Sequence, residues 1–348
     1  MANLYAVIMA GGRGERFWPL SMEKLPKPFI PLLGKNSLIQ DTVDRIQPLV
    51  PPERIFISIG ATHLETARQQ LPRIPADNFI VEPVGRDTSA CLGFCALYIE
   101  KRDRQGLMLA LPADHFIRDA EAYRNTLQTG LDNLEGATGV VFGIRPDRPE
   151  TGYGYIHAER PPSPSDAWQV IRFIEKPDAP TAAQYLSAGN YFWNSGMFLW
   201  RNETLLELIK DHLPGLDAGL RKLRPLVGVR ENDREIAGIF PGLPRISIDF
   251  GIMEKISGLR LIPAHFGWDD IGTWASLERA LPADSHGNIC RGSYKTLETN
   301  NCILYAQNAT VATFGVTDLI VVEAYGKVLV CPKNRASDLK KLVKELAK

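Results

Sequence analysis

Through the first 150 residues, short apolar runs alternate with helix-favouring stretches, and no other feature of the sequence restricts the fold as much. Leu4-Tyr5-Ala6-Val7-Ile8-Met9-Ala10 is an unbroken apolar run closed by Gly11-Gly12. Such a run suits a strand buried on both faces. Residues 54–60, 78–81, 107–111 and 139–143 repeat the pattern. Thr62 and Glu65 resemble a capping box, and a helix is expected from about Thr88 to Lys101. Strands and helices in strict alternation predict a mainly parallel, doubly wound α/β sheet. After about residue 150 the strands become short and aromatic-rich, at 154–158, 168–174 and 192–200. From about residue 283 they are β-branched and closely spaced, ending in an amphipathic helix over 337–348.

Composition narrows the function classes. The 348 residues carry 40 Lys+Arg against 40 Asp+Glu, a formal net charge of zero. That balance argues against a globally basic nucleic-acid binder and against an acidic tail. With 45% hydrophobic and 23% charged residues the chain reads as globular, not disordered. No uncharged apolar run approaches the ~18 residues of a membrane span, and no signal peptide is evident. The cysteines at 91, 95, 290, 302 and 331 are scattered without zinc spacing, and Cys91 and Cys95 read as buried helix thiols. A cytoplasmic protein is expected. His63 is expected near a helix start, His265 in a strand, and His115 in a supporting hydrogen bond; no triad is visible.

Gly11-Gly12-Arg13-Gly14-Glu15-Arg16-Phe17-Trp18-Pro19-Leu20, followed by Lys27, is the strongest local signal. Glycines after a first strand let backbone N–H groups approach phosphate oxygens. No Gly-Lys-Ser/Thr follows, so this is not a P-loop. Phe17 stands where a dinucleotide fold needs its helix-packing glycine, which argues against a nicotinamide dehydrogenase. Arg13, Arg16 and Lys27 around flexible backbone point to a triphosphate, although the glycines alone equally fit a tight turn with solvated arginines. Asp114 follows a strand and Asp270 lies in Trp268-Asp269-Asp270-Ile271-Gly272. Together with phosphate oxygens and water they would make the oxygen shell Mg²⁺ prefers. Taken singly, Asp114 is better read as a helix cap and Asp270 as a turn residue. Gly152, Glu175, Lys176 and Asn194 lie in aromatic surroundings, a setting that suits a sugar or else a buried polar network; Trp193 and Tyr155 fit the network better.

These segments, with Glu82-Pro83, Arg86-Asp87-Thr88 and Ser247-Ile248-Asp249-Phe250, occur in the order of the sugar nucleotidyltransferase family. The resemblance covers nearly the whole chain, with Trp18 and Ser21 pointing to its guanylyl branch. It implies a Rossmann-like, mainly parallel mixed sheet flanked by helices over 1–282, and a small left-handed β-helix domain with a terminal helix over 283–348. It implies GMP transfer from GTP to mannose 1-phosphate, giving GDP-mannose and pyrophosphate, with Mg²⁺ as cofactor. The catalytic residues would be Arg13, for the phosphoryl transfer itself, and Lys27, on the triphosphate. Asp114 and Asp270 would hold the metal. Gly11, Gly12, Gly14 and Arg16 would bind nucleotide, with Glu82, Pro83, Asp87, Thr88 and Ser89 as the base-reading segment. Lys176 would meet the sugar-linked phosphate, while Gly152, Glu175 and Asn194 hold the mannose. Departures stand at Pro28, where Gln is common, and at Asp87 and Ser89, where Asn and Ala are usual. Another nucleotide or sugar specificity, or a silent nucleotide-sugar sensor, are the alternatives. Exposed strand edges in the tail point to a homodimer, and the length leaves no room for the isomerase domain of longer relatives.

Overall fold

The computed structural model describes residues 3–12, 14–161 and 167–346. Among them the chain forms fifteen strands. In order these are β1 (Leu4–Met9), β2 (Ile55–Gly60), β3 (Phe79–Glu82), β4 (Leu107–Pro112), β5 (Phe116–Ile117), β6 (Gly139–Ile144), β7 (Tyr155–Glu159) and β8 (Trp168–Ile174). They continue with β9 (Tyr191–Arg201), β10 (Leu259–Ala264), β11 (Trp268–Asp269), β12 (Ile289–Leu297), β13 (Ile303–Phe314), β14 (Leu319–Ala324) and β15 (Lys327–Pro332). Residue contacts divide the chain into two units: residues 1–11, 43–112 and 119–266, and residues 12–42, 113–118 and 267–348.

The first unit is an α/β sheet of nine strands in the order β3-β2-β1-β4-β9-β6-β10-β8-β7. The pairs β1–β2, β2–β3, β1–β4 and β6–β10 are parallel. β9 runs antiparallel to both β4 and β6, which makes the sheet mixed. Val7, Ile8, Phe56, Ile57, Met108 and Leu109 are almost wholly enclosed, as continuous apolar strands covered on both faces must be. Strand order reverses beside β1, where Met9 pairs with Pro112 of β4. The carboxyl ends of such strands are where open α/β sheets take their ligands.

The helix Asp87–Arg102 buries residues on most of its circumference, Cys91 and Cys95 included. Gly93 lets Leu220 and Ile209 approach to 2.8 and 3.1 Å of where a Cβ would stand. Two expectations are corrected. A 3₁₀ turn, Ala61–His63, precedes the helix Leu64–Gln70, whose N-cap position is His63 with no side-chain capping bond; the Thr62 capping box does not form. His265 lies just beyond β10 instead of within a strand.

In the second unit, β12, β13 and β14 pair in parallel and β14–β15 closes as a hairpin. Parallel strands normally need a long crossover. Here turns of a few residues join them, so each strand stacks on the preceding coil in a β-helix-like domain. The terminal helix is Leu339–Leu346. Ile289, Ile303, Tyr305, Ile320 and Val322 of this domain share one core with Phe17, Leu20, Ile30, Ile271 and Trp274. No helix among the described residues is long and apolar enough to cross a membrane.

Candidate active site

In the second unit, β5 and β11 pair antiparallel, Phe116 with Asp269 and Ile117 with Trp268. Asp114 precedes β5 and Asp270 follows β11, so this short ladder brings two acidic residues far apart in sequence to the same end of it. Lys27 is their junction. Its Nζ lies 2.9 Å from Asp114 Oδ2 and donates to the Asp270 carbonyl at 2.6 Å. The lysine side chain is 8% exposed and that of Asp114 28%. Burial pushes the Asp114 carboxyl upward, but the Lys27 ammonium, the charge of His115 and the Lys27 hydrogen bond outweigh it. The carboxyl is held below its usual range. His115 does support its surroundings: its Nδ1 accepts the Trp268 indole N–H at 3.0 Å.

Gly14, at φ 58°, is required by Lys27. A Cβ there would stand 2.6 Å from Lys27 Cβ and 2.8 Å from its backbone nitrogen. Gly272 serves the carboxylate similarly, since a Cβ would meet Asp270 Oδ2 at 3.0 Å and Arg16 Nη1 at 3.3 Å. Asp269 points elsewhere: it pairs with Arg279 and accepts the Ile271 N–H at 2.8 Å. Ile271, at φ 45°, adopts a backbone conformation that costs a β-branched residue energy and concentrates at functional sites. Arg13 lies outside the described residues. Among the described residues no atom comes within 4 Å of a Cβ placed at Gly11 or Gly12, which leaves room for a ligand.

The first unit carries the remaining candidates in two groups joined by hydrogen bonds. Glu82 ends β3, and its Oε1 accepts the Ser58 hydroxyl at 2.8 Å. Cys91 Sγ in turn lies 3.2 Å from Ser58 Oγ. Burial raises the Glu82 carboxyl above its ordinary range, against the opposing hydrogen bonds of Ser58 and Cys91. Pro83 follows Glu82 in the loop to the helix Asp87–Arg102. Asp87, at φ 67°, accepts the Thr88 N–H at 2.8 Å. Thr88 Oγ1 accepts the Ile248 N–H at 2.8 Å, and Ser89 is fully enclosed with its N–H on the Ile246 carbonyl at 3.2 Å. Both residues face the 246–248 segment.

That segment leads to the second group. Asn194 Nδ2 donates to Asp249 Oδ1 at 2.7 Å, and Glu175 Oε2 lies 2.9 Å from where a Cβ on Gly154 would stand. Lys176, at φ 40°, is exposed and ion-paired with Glu175. Gly152 is turned to Glu150 Oε1, to which it donates at 3.0 Å. Tyr155 and Trp193 are buried. The tyrosine hydroxyl donates to the Glu150 carbonyl at 2.9 Å, and the Arg148 guanidinium lies 4.7 Å from the indole ring. Sequence reasoning gave no role to Ser58, Gly154, Gly272 or Asp249. Gly272 and Asp249 carried a signal, each by its place in a quoted motif.

The nucleotidyl transferase pattern matches residues 5–286, and the mannose-phosphate isomerase/GMP-like β-helix domain matches 292–346. The chain therefore belongs to the nucleotidyl transferase family. Within it the similarity is to mannose-1-phosphate guanylyltransferases. The Escherichia coli K12 enzyme of that name is 36% identical, covering 99% of this chain and 74% of its own length. The alginate biosynthesis protein AlgA of Pseudomonas aeruginosa is 34% identical over 98% of this chain and 71% of its own. A crystal structure described as a mannose-1-phosphate geranyltransferase from Thermus thermophilus is 39% identical. It superposes with a TM-score of 0.89, covering 99% of this chain and 100% of that one.

Proposed function

We propose that the chain transfers GMP from GTP to mannose 1-phosphate, releasing pyrophosphate and forming GDP-mannose. The observation that carries this reading is the Lys27 ammonium fixed between the Asp114 carboxylate and the Asp270 carbonyl beside a glycine loop. The sugar phosphate is the nucleophile. Its second pKa lies near ~6, so it is largely dianionic at neutral pH and needs no general base. One of its oxygens bonds to the α-phosphorus of GTP as the bond to the β-phosphate oxygen breaks. The barrier is repulsion between anions, so fixed positive charge lowers it. Arg13 is assigned to the transferring phosphoryl group, with Lys27 and Arg16 on the triphosphate. Gly11, Gly12 and Gly14 keep backbone N–H groups within reach of it.

Two carboxylates without a third suit an ion that keeps several waters and takes its remaining ligands from phosphate. Mg²⁺ binds in that manner, and no cluster of three or more ligating side chains occurs among the described residues. Asp114 and Asp270 would hold the ion, which when bound supplies charge neutralisation on the phosphate oxygens. Glu175, Asn194 and Gly152 are assigned to the mannose and Lys176 to its phosphate. The test is a pyrophosphate-release matrix with Mg²⁺, four nucleoside triphosphates and several sugar 1-phosphates. GTP with mannose 1-phosphate should release most, and Asp114→Asn should bring release to background. Turnover confined to UTP or dTTP would assign another specificity. GDP-mannose binding with no turnover at all would favour a sensor.

Base selection is assigned to Glu82, Pro83 and Asp87, with Glu82 accepting from guanine N1–H and N2–H₂, while Thr88 and Ser89 are turned to the 246–248 segment. It can accept both only when ionised. Because its carboxyl is raised, KM for GTP should fall severalfold as pH rises through a range above that of an ordinary glutamate. Ser58→Ala removes a hydrogen bond that favours the ionised form, so this limb should move to higher pH. A KM for GTP independent of pH across the acidic range up to neutrality would remove Glu82 from the base site.

A further inference from the structure

Asp249 takes no part in the reaction as proposed, yet it is built into the sugar-side group. It opens the five-residue π-turn Asp249–Met253, a rare geometry that concentrates at functional sites. Its Oδ1 takes the Asn194 amide at 2.7 Å, while Asn194 Oδ1 accepts the Gly196 N–H at 3.0 Å. Burial, opposed by the Asn194 hydrogen bond and reinforced by the charge of Glu175, raises the Asp249 carboxyl. The neighbouring Glu254 is raised by burial and by the charges of Glu175 and Asp249. Lys176 pairs with Glu175, and Lys255 is the cation that counters Glu254.

We infer that Asp249 is a specificity-determining residue, accepting a hydrogen bond from a ring hydroxyl of the sugar 1-phosphate next to the hydroxyl taken by Glu175. This rests on the reading of the group as the sugar-phosphate site. A Cβ on Gly154 would stand 2.9 Å from Glu175 Oε2 and 3.5 Å from Asn194 Cβ, so Asn194 links the neighbourhoods of the Glu175 and Asp249 carboxylates. Two such carboxylates repel a phosphate, and their complement is a neutral group rich in donors, as adjacent hydroxyls on one ring are. The phosphate end belongs with Lys176 at the exposed rim. Two bonds from the start of the helix Asp87–Arg102 hold the backbone segment that leads into Asp249. Ile248 N–H reaches Thr88 Oγ1 at 2.8 Å, and Ser89 N–H reaches the Ile246 carbonyl at 3.2 Å. Thr88 is thereby a positioning residue for Asp249.

The experiment compares wild type and Asp249→Asn on mannose 1-phosphate and its series of monodeoxy analogues, with KM for GTP measured alongside. A hydrogen bond to a charged acceptor corresponds to roughly 10- to 100-fold, so kcat/KM for mannose 1-phosphate should fall by that factor while KM for GTP stays within about twofold. The analogue lacking the hydroxyl that Asp249 reads should be used equally by both proteins, and the other analogues should show the full loss. Equal losses on every analogue, or none, overturn the proposal while leaving the guanylyltransferase reading intact. A wild type that turns over no sugar 1-phosphate overturns both. Should Asp249→Asn fail to fold, Thr88→Val carries the same test. It should weaken mannose 1-phosphate and not GTP, with Thr88→Ser restoring it; a Thr88→Val effect on GTP alone overturns the assignment.

Discussion

Lys27→Gln is expected to lower kcat/KM for pyrophosphate release by about 10²- to 10³-fold, the usual cost of removing one preorganised charge from a transition state. Most of the loss should fall on kcat, because the charge acts where negative charge accumulates between nucleophile and leaving group. Lys27→Arg should not rescue it. The ammonium fits between Asp114, the Asp270 carbonyl and the Phe17 ring, whose centre is 5.9 Å away. A planar guanidinium does not fill the space of a compact ammonium. The fold should survive Lys27→Gln, since Asp114 retains 28% exposure and can be hydrated. The pH dependence has a definite sign. The Asp114 carboxyl is lowered in the folded chain, so its pairing contributes stability above the ordinary carboxylate range. That contribution is lost as pH falls through the lowered value. The difference in stability between wild type and Lys27→Gln should therefore shrink on acidification. A variant retaining more than roughly a tenth of wild-type kcat/KM would remove Lys27 from the catalytic set.

Asp114 and Asp270 were legible as candidates because each stood in a recognisable motif, Asp114 directly after the fourth apolar run. The ion pair with Lys27 was not. It depends on the β5–β11 ladder, whose strands have only two residues each and show no periodicity. The apolar runs of β1, β2 and β4 identified the parallel half of the sheet. The run of β9 was equally visible, but nothing local indicates that it inserts antiparallel between β4 and β6. Thr88 and Ser89 show the same limit. Their place at a helix start suits a ligand, but this helix is buried on most sides, so both are turned to a neighbouring segment of the protein. Asp249 could not be singled out, because its partner Asn194 lies on a distant strand and its π-turn has no sequence signature.

Gly292→Ala should be the most destabilising single methyl addition in the β-helix-like domain. At φ 85° a Cβ would stand 1.8 Å from the Ala306 carbonyl oxygen and 2.8 Å from its carbon. Both atoms are backbone, so no side chain can move aside. The site is a corner where pairing jumps from Arg291–Tyr305 to Ser293–Thr310. The looped-out Gln307, Asn308 and Ala309 donate their N–H groups to Glu323 Oε2 at 3.1, 2.9 and 2.9 Å. Gly315→Ala is the control: its φ is 63°, but nothing lies within 4 Å of the added carbon. The control should cost about 1–2 kcal/mol for its backbone conformation alone, and Gly292→Ala about 4 kcal/mol or more. Hydrogen exchange should locate the loss in β12 and β13. Because Ile289, Ile303 and Tyr305 share a core with Phe17 and Trp274, loosening these strands undermines the loop that carries Lys27. The temperature at which pyrophosphate release is lost should therefore fall by as much as the unfolding temperature. Release that persists after the strands have lost their protection would show that the domain does not support the catalytic loop.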